Sequence, residues 1–154
     1  MLPSIFGRPI NAALAGGMHI TIDLITIHKG KLVLFEKQGG TPGHQNLNEL
    51  WFPGDYLSYG EELVMALKRV LKTWGKVEPV SMKLVKVDST VPPNEGWRMA
   101  FLYVVELKAP AKPGAGMKAI KVIEQSQLPR TVGWLRRSEI KNFIALAKQM
   151  QPNR

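Results

Sequence analysis

Trp97 to Leu107 is the stretch that most limits what this chain can fold into. Trp97, Met99, Phe101, Tyr103, Val105 and Leu107 alternate with Arg98, Ala100, Leu102, Val104 and Glu106. Side chains point to opposite faces along a strand, so apolar residues on both faces of its middle need cover on both sides. That is the pattern of a central strand in a sheet with helices on each face. The remaining chain has to supply neighbouring strands and two helical layers.

The strands are readable around it. Ile20, Ile22, Leu24 and Ile27 alternate with polar residues, His28-Lys29-Gly30-Lys31 makes a turn, and Leu32-Val33-Leu34-Phe35 begins a second strand, which predicts a hairpin. Val80 to Val87 and Lys118 to Ile123 read as strands, and Thr131 to Leu135 as a short one. Ala109 to Gly116 reads as a flexible loop. Leu63, Leu67, Val70 and Trp74, with Val64 and Leu71 alongside, follow one face of a helix stopped by Gly75. Ile140, Phe143, Ile144 and Ala147 mark a closing helix capped by Ser138 and ended by Pro152. Residues 1–17 form an arm rich in Pro and Gly, 18–150 the single domain, and 151–154 a tail. The polar loop from Gln38 to Leu50 is longer than a connection needs, and loops of that size often carry binding function.

The loop and helix over residues 54–76 resemble a degenerate Nudix box of the Nudix hydrolase superfamily. Pro53-Gly54 stands where that family has Pro-Gly, Glu61 at its first Glu, Arg69 at its Arg and Leu71 at its apolar position. The order of elements over residues 18–150 is also similar. The resemblance implies an α/β fold: a Nudix-type α/β/α sandwich with a mixed, curved sheet in a single domain. It further implies divalent ions held by helical glutamates around a diphosphate. Hard cations want several oxygen ligands, and carboxylates one helical turn apart can share one ion. The sequence departs from the box where those ligands belong. Asp55 replaces the first Gly, Val70 follows the Arg, and Thr73 and Trp74 occupy the paired Glu positions. From Leu63 to Gly75 there is no carboxylate, so no cofactor is expected on this helix.

Length and composition set the class. The 154 residues suit one domain with a core. No apolar run is long enough to span a bilayer, and the start does not read as a signal peptide, so a cytoplasmic protein without a membrane is expected. The absence of cysteine excludes disulfides and thiolate chemistry, and His19, His28 and His44 lack metal-ligand spacing. Residues 1–67 hold four Lys/Arg against six Asp/Glu, and residues 68–154 seventeen against six. The +11 of the second part suggests a nucleotide, RNA or ribonucleoprotein partner, or simply a solvated basic face.

Two functions follow as expectations. The first is a non-hydrolytic nucleotide- or RNA-binding module, with Arg69, Arg98, Tyr56, Tyr59, Lys68 and Lys72 as ligand contacts. A scaffold role in a larger assembly, or a homodimer, fits that reading equally. The second is a divergent Nudix hydrolase using Mg or Mn on a nucleoside diphosphate linked to another moiety. Its candidates are Glu61 and Glu62 as metal or catalytic carboxylates and His44 as a base, with Asp88, Glu95 or Glu124 as carboxylates from outside the helix. Glu61 and Glu62 also suit a structural role, which the residues favour: acids at a helix N-terminus that pair with Arg69 or a loop amide.

Overall fold

The computed structural model describes residues 18–37, 50–90 and 97–150. The arm, the tail, most of the 38–50 loop with His44, and Glu95 lie outside the described residues. The strands are β1 (Met18–His28), β2 (Lys31–Lys37), β3 (Leu50–Trp51), β4 (Gly54–Tyr56), β5 (Pro79–Thr90), β6 (Trp97–Leu107), β7 (Met117–Ile123), β8 (Thr131–Val132) and β9 (Leu135–Arg136). The helices are α1 (Leu63–Gly75) and α2 (Arg137–Gln149).

Seven strands form one sheet in the order β3-β2-β1-β6-β5, with β4 also on β1 and β7 also on β2. β1 and β6 run parallel, from Met18 opposite Trp97 to Ile27 opposite Glu106, while the other pairs are antiparallel. The sheet is therefore mixed, and β6 is interior as its two apolar faces require. Strand alternation sorts the core into two layers. Ile22, Leu24, Val33, Phe35, Val105 and Leu107 pack with Ala66, Leu67, Val70, Leu71 and Trp74 of α1. Ile25, Ile27, Leu32, Leu34, Leu102 and Val104 pack with Ile140, Ile144 and Ala147 of α2. Each such buried aliphatic contributes about 1.5–3 kcal/mol, and the result is the α/β/α sandwich. The β1–β2 turn uses positive φ at both Lys29 (49°) and Gly30 (78°), the geometry that suits a tight hairpin.

Several local expectations are corrected. Gly75 is the last helical residue and not the stop. Lys76 takes the left-handed position, with φ 48°, and Gly75 serves close packing instead: a Cβ there would stand 3.1 Å from the Phe35 ring and from Ala111. Val64 is exposed, and Ala66 takes its place in the core. Ser138 lies inside α2. Arg136 holds the N-cap position instead, and the carboxylate of Glu139 reaches back to accept from its amide at 2.9 Å. Residues 131–135 are no single strand but the start of a tight hairpin, β8–β9, turning at Gly133-Trp134. The 109–116 loop is fastened: the amides of Lys112 and Gly114 donate to Gly75 O and Trp74 O, each at 2.9 Å, and Gly114 lies too close to Thr73 O to accept a side chain.

Candidate functional site

β1 meets β2 only near their turn, at Ile27 and His28, and meets β4 at Thr21 to Asp23. β2 continues against β3 and β7. The two strands thus diverge, and a cleft of about 310 Å3 opens in the fork. Its walls are aromatic: Trp51 from β3, Tyr56 from β4, Trp74 from α1 and Trp134 from the β8–β9 turn. Asp23, Lys37, Asp55 and Arg98 supply its charges.

Each wall has a local cause. Gly133 adopts φ 54° and its amide donates to Leu50 O at 3.0 Å. A Cβ there would stand 2.5 Å from the Trp51 ring, so only glycine lets the turn lie against Trp51 and carry Trp134 over the cleft. Trp74 is 6% exposed and meets Phe35 edge-on at 5.8 Å. Lys37 Nζ lies 4.8 Å from the Trp74 ring centre and 5.4 Å from that of Trp51, a cation over two aromatic faces. Burial lowers the Lys37 pKa, with Asp55 opposing. Asp23 accepts from Thr21 Oγ1 at 3.1 Å and from Trp134 Nε1 at 3.4 Å. Burial pushes its carboxyl up, against those two hydrogen bonds and the charge of Arg98. Gly54 makes room for it, since a Cβ at Gly54 would stand 2.8 Å from Asp23 Oδ1.

The box residues are held in another way. Arg69 Nε and Nη2 donate to Glu61 Oε1 and Oε2 at 2.8 and 3.0 Å, Nη1 donates to Asp55 Oδ2 at 2.9 Å, and Nη2 to Tyr56 O at 2.9 Å. Ser58 N donates to Glu61 Oε2 at 3.1 Å. The hydrogen bonds from Arg69, then that from the Ser58 amide, hold the Glu61 carboxyl down at about 2. Arg69 and Glu61 therefore fasten the 55–61 loop to α1. Glu62 is exposed beside them and makes no side-chain cap.

The sequence candidates are only partly brought together. Arg98 and Tyr56 line the cleft, with Tyr56 stacked obliquely on His19 at 5.3 Å. Tyr59 is 95% exposed and stands apart from it. Lys68 and Lys72 lie with Lys76 along a separate groove on the outer side of α1. Asp88 pairs with Lys86 at 3.5 Å and Glu124 with Lys31 at 3.0 Å, both away from the cleft. Asp23, Lys37 and Trp134 escape the sequence reading as site residues. An aspartate inside an apolar alternation, and a tryptophan next to glycine, were the signals that could have found them.

A divalent ion, which the Nudix resemblance implies, does not fit these residues. Val70 and Trp74, at the box glutamate positions, are buried in the core, and Thr73 faces solvent. Glu61 is occupied by Arg69 and Ser58, and among the described residues no three His, Asp or Glu side chains gather.

No protein-family model and no curated protein matches the sequence. Solved structures do match. The MutT protein from Methanosarcina mazei Go1 superposes with a TM-score of 0.67 at 12% identity, covering 86% of this chain and 96% of that one. The MutT NUDIX hydrolase from Burkholderia pseudomallei gives 0.66 at 12% identity, covering 80% and 96%. A UDP-X diphosphatase gives 0.65 at 13%, covering 94% of this chain and 66% of that one. Among the described residues no helix is long and apolar enough to cross a membrane. A mixed sheet between two helices, matched over most of its length to these structures, gives this chain the Nudix fold.

Proposed function

We propose that the chain binds a nucleotide in the fork between β1 and β2. The observation that carries this reading is a partly buried acid, Asp23, set among Trp51, Trp74 and Trp134 with Lys37 and Arg98 nearby. Aromatic faces take a planar base, and each base–aromatic stack is worth ~1–3 kcal/mol. Asp23 offers an edge that pairs with ring N–H or amino groups, and the two cations suit phosphate. Titration of the full chain with a nucleotide panel, followed by tryptophan fluorescence, tests the reading. Trp134→Ala is expected to weaken binding about tenfold. A panel without saturable binding, or an unchanged affinity in that variant, would overturn it.

A second reading is hydrolysis of a nucleoside diphosphate linked to another moiety, in the presence of Mg or Mn. The solved structures named above support it, since they include a hydrolase and a diphosphatase. On that ground it is better supported than a strictly non-hydrolytic RNA-binding role, which draws only on the +11 of residues 68–154. The carboxylate-free α1 speaks the other way. Release of phosphate or nucleoside monophosphate from a substrate panel with Mg²⁺ or Mn²⁺, lost in Asp23→Asn, decides for hydrolysis.

A further inference from the structure

The base of the β8–β9 hairpin carries a second concentration of charge, away from the cleft. Thr131 and Arg136 face each other in register, and the Arg137 amide donates to Arg130 O at 3.0 Å. Two short segments are thus tied side by side, and Arg130, Arg136 and Arg137 line one concavity of about 760 Å3 with Thr131 and Ser138. Arg137 Nε donates to Pro129 O at 3.2 Å, which fixes the direction of that guanidinium.

Like charges brought together oppose folding unless a counter-charge meets them. Elsewhere the chain supplies one: Arg69 has Glu61 and Asp55, and Lys118 and Lys121 share Glu36. Among the described residues no carboxylate makes an ion pair with Arg130, Arg136 or Arg137. Glu139, the nearest acid in sequence, is turned to the Arg136 backbone amide. The Arg136 and Arg137 amides are thus taken, by Glu139 and by Arg130 O, and the guanidiniums are the charged groups left to meet an anion. Their planar, multi-donor forks match phosphate oxygens two at a time, and the two hydroxyls add donors.

We propose that this concavity is an oxyanion site for a phosphate or diphosphate group, separate from the cleft and independent of what the cleft binds. The group belongs either to a small phosphorylated ligand or to the backbone of a single-stranded RNA.

Isothermal titration of the full chain with inorganic pyrophosphate tests it: pyrophosphate has no ring to stack in the cleft, and any held there by Lys37 and Arg98 is told apart by its indifference to the arginine variants below. The double variant Arg136→Gln/Arg137→Gln, and the single variant Arg130→Gln, are expected to lower pyrophosphate affinity about tenfold, the equivalent of one lost charge-assisted hydrogen bond. Lys68→Gln/Lys72→Gln removes equal charge on the outer side of α1 and is expected to change affinity by less than about twofold. Equal losses in the arginine and lysine variants, or no saturable binding to the unmodified chain, overturn the proposal. Displacement of pyrophosphate by a single-stranded RNA, with the same arginine dependence, identifies the RNA backbone as the source. Saturation by pyrophosphate that RNA does not displace identifies a small ligand.

Discussion

The guanidinium of Arg69 closes on Glu61 through two parallel hydrogen bonds, Nε to Oε1 at 2.8 Å and Nη2 to Oε2 at 3.0 Å. A carboxylate held this way prefers its ionised form, and its folded pKa falls from an ordinary 4.5 to about 2. The unfolded state then binds more protons between those values, so stability is fully present above about 4.5 and is lost as pH falls toward 2. Urea midpoints measured across that window are expected to fall with acid in the unmodified chain. In Glu61→Gln the slope should flatten; an unchanged slope would show that the fork contributes nothing.

Asp23 has the opposite sign. Its carboxyl is raised, chiefly by burial, so the folded state holds the proton more strongly than the unfolded chain does. The penalty is absent below the unfolded pKa and grows as pH rises through the folded one. Asp23→Asn keeps one acceptor, for Trp134 Nε1, offers its amide to the Thr21 hydroxyl, which can accept in turn, and removes the partly buried charge. It is expected to raise the thermal midpoint at neutral pH while weakening nucleotide binding. A variant that loses stability at neutral pH would contradict the burial argument.

Trp74 shows what a glutamate at that position of the helix would cost. It is 6% exposed and packed edge-on against Phe35. Removing a buried tryptophan costs about 3–5 kcal/mol, and Trp74→Glu would add the desolvation of a carboxylate, only partly offset by Lys37 beside it. Urea denaturation is expected to find this variant largely unfolded, with Trp74→Phe between it and the parent. A stable Trp74→Glu that bound Mn²⁺ would mean that the layer under α1 rearranges more readily than its packing allows.

Gly133 tests the link between backbone and cleft. A methyl group there would overlap the Trp51 ring, at a φ of 54° that also disfavours alanine. Gly133→Ala is expected to destabilise by about 1–3 kcal/mol, the usual range for overpacking. It should also weaken ligand binding by moving Trp134, which comparison of chemical denaturation with fluorescence titration would separate.

The fold was legible where periodicity is strong. Trp97–Leu107 announced an interior strand, and the spacing of Leu67, Val70 and Trp74 announced a helix with one buried face. What alternation cannot tell is which strands adjoin. Most of β1 lies parallel to β6, about 80 residues on, and not against its hairpin partner. The cleft was illegible for the same reason. Asp23, Lys37, Trp51 and Trp134 are far apart in sequence and meet only because β1 and β2 diverge and a hairpin folds over the gap. Arg69 and Glu61 were visible as a motif and their pairing as its structural reading, while Asp55 and Tyr56 O, which complete the knot, were not in view.

The fastening of residues 112 and 114 onto the end of α1 has a dynamic consequence. Helix ends usually fray first, but here the carbonyls of Trp74 and Gly75 are engaged by amides from a segment beyond β6. The last turn of α1 cannot open unless that segment lifts as well. The amides of Lys112 and Gly114 should therefore exchange with deuterium at the pace of the Lys72–Lys76 turn, as one cooperative unit spanning two distant parts of the chain.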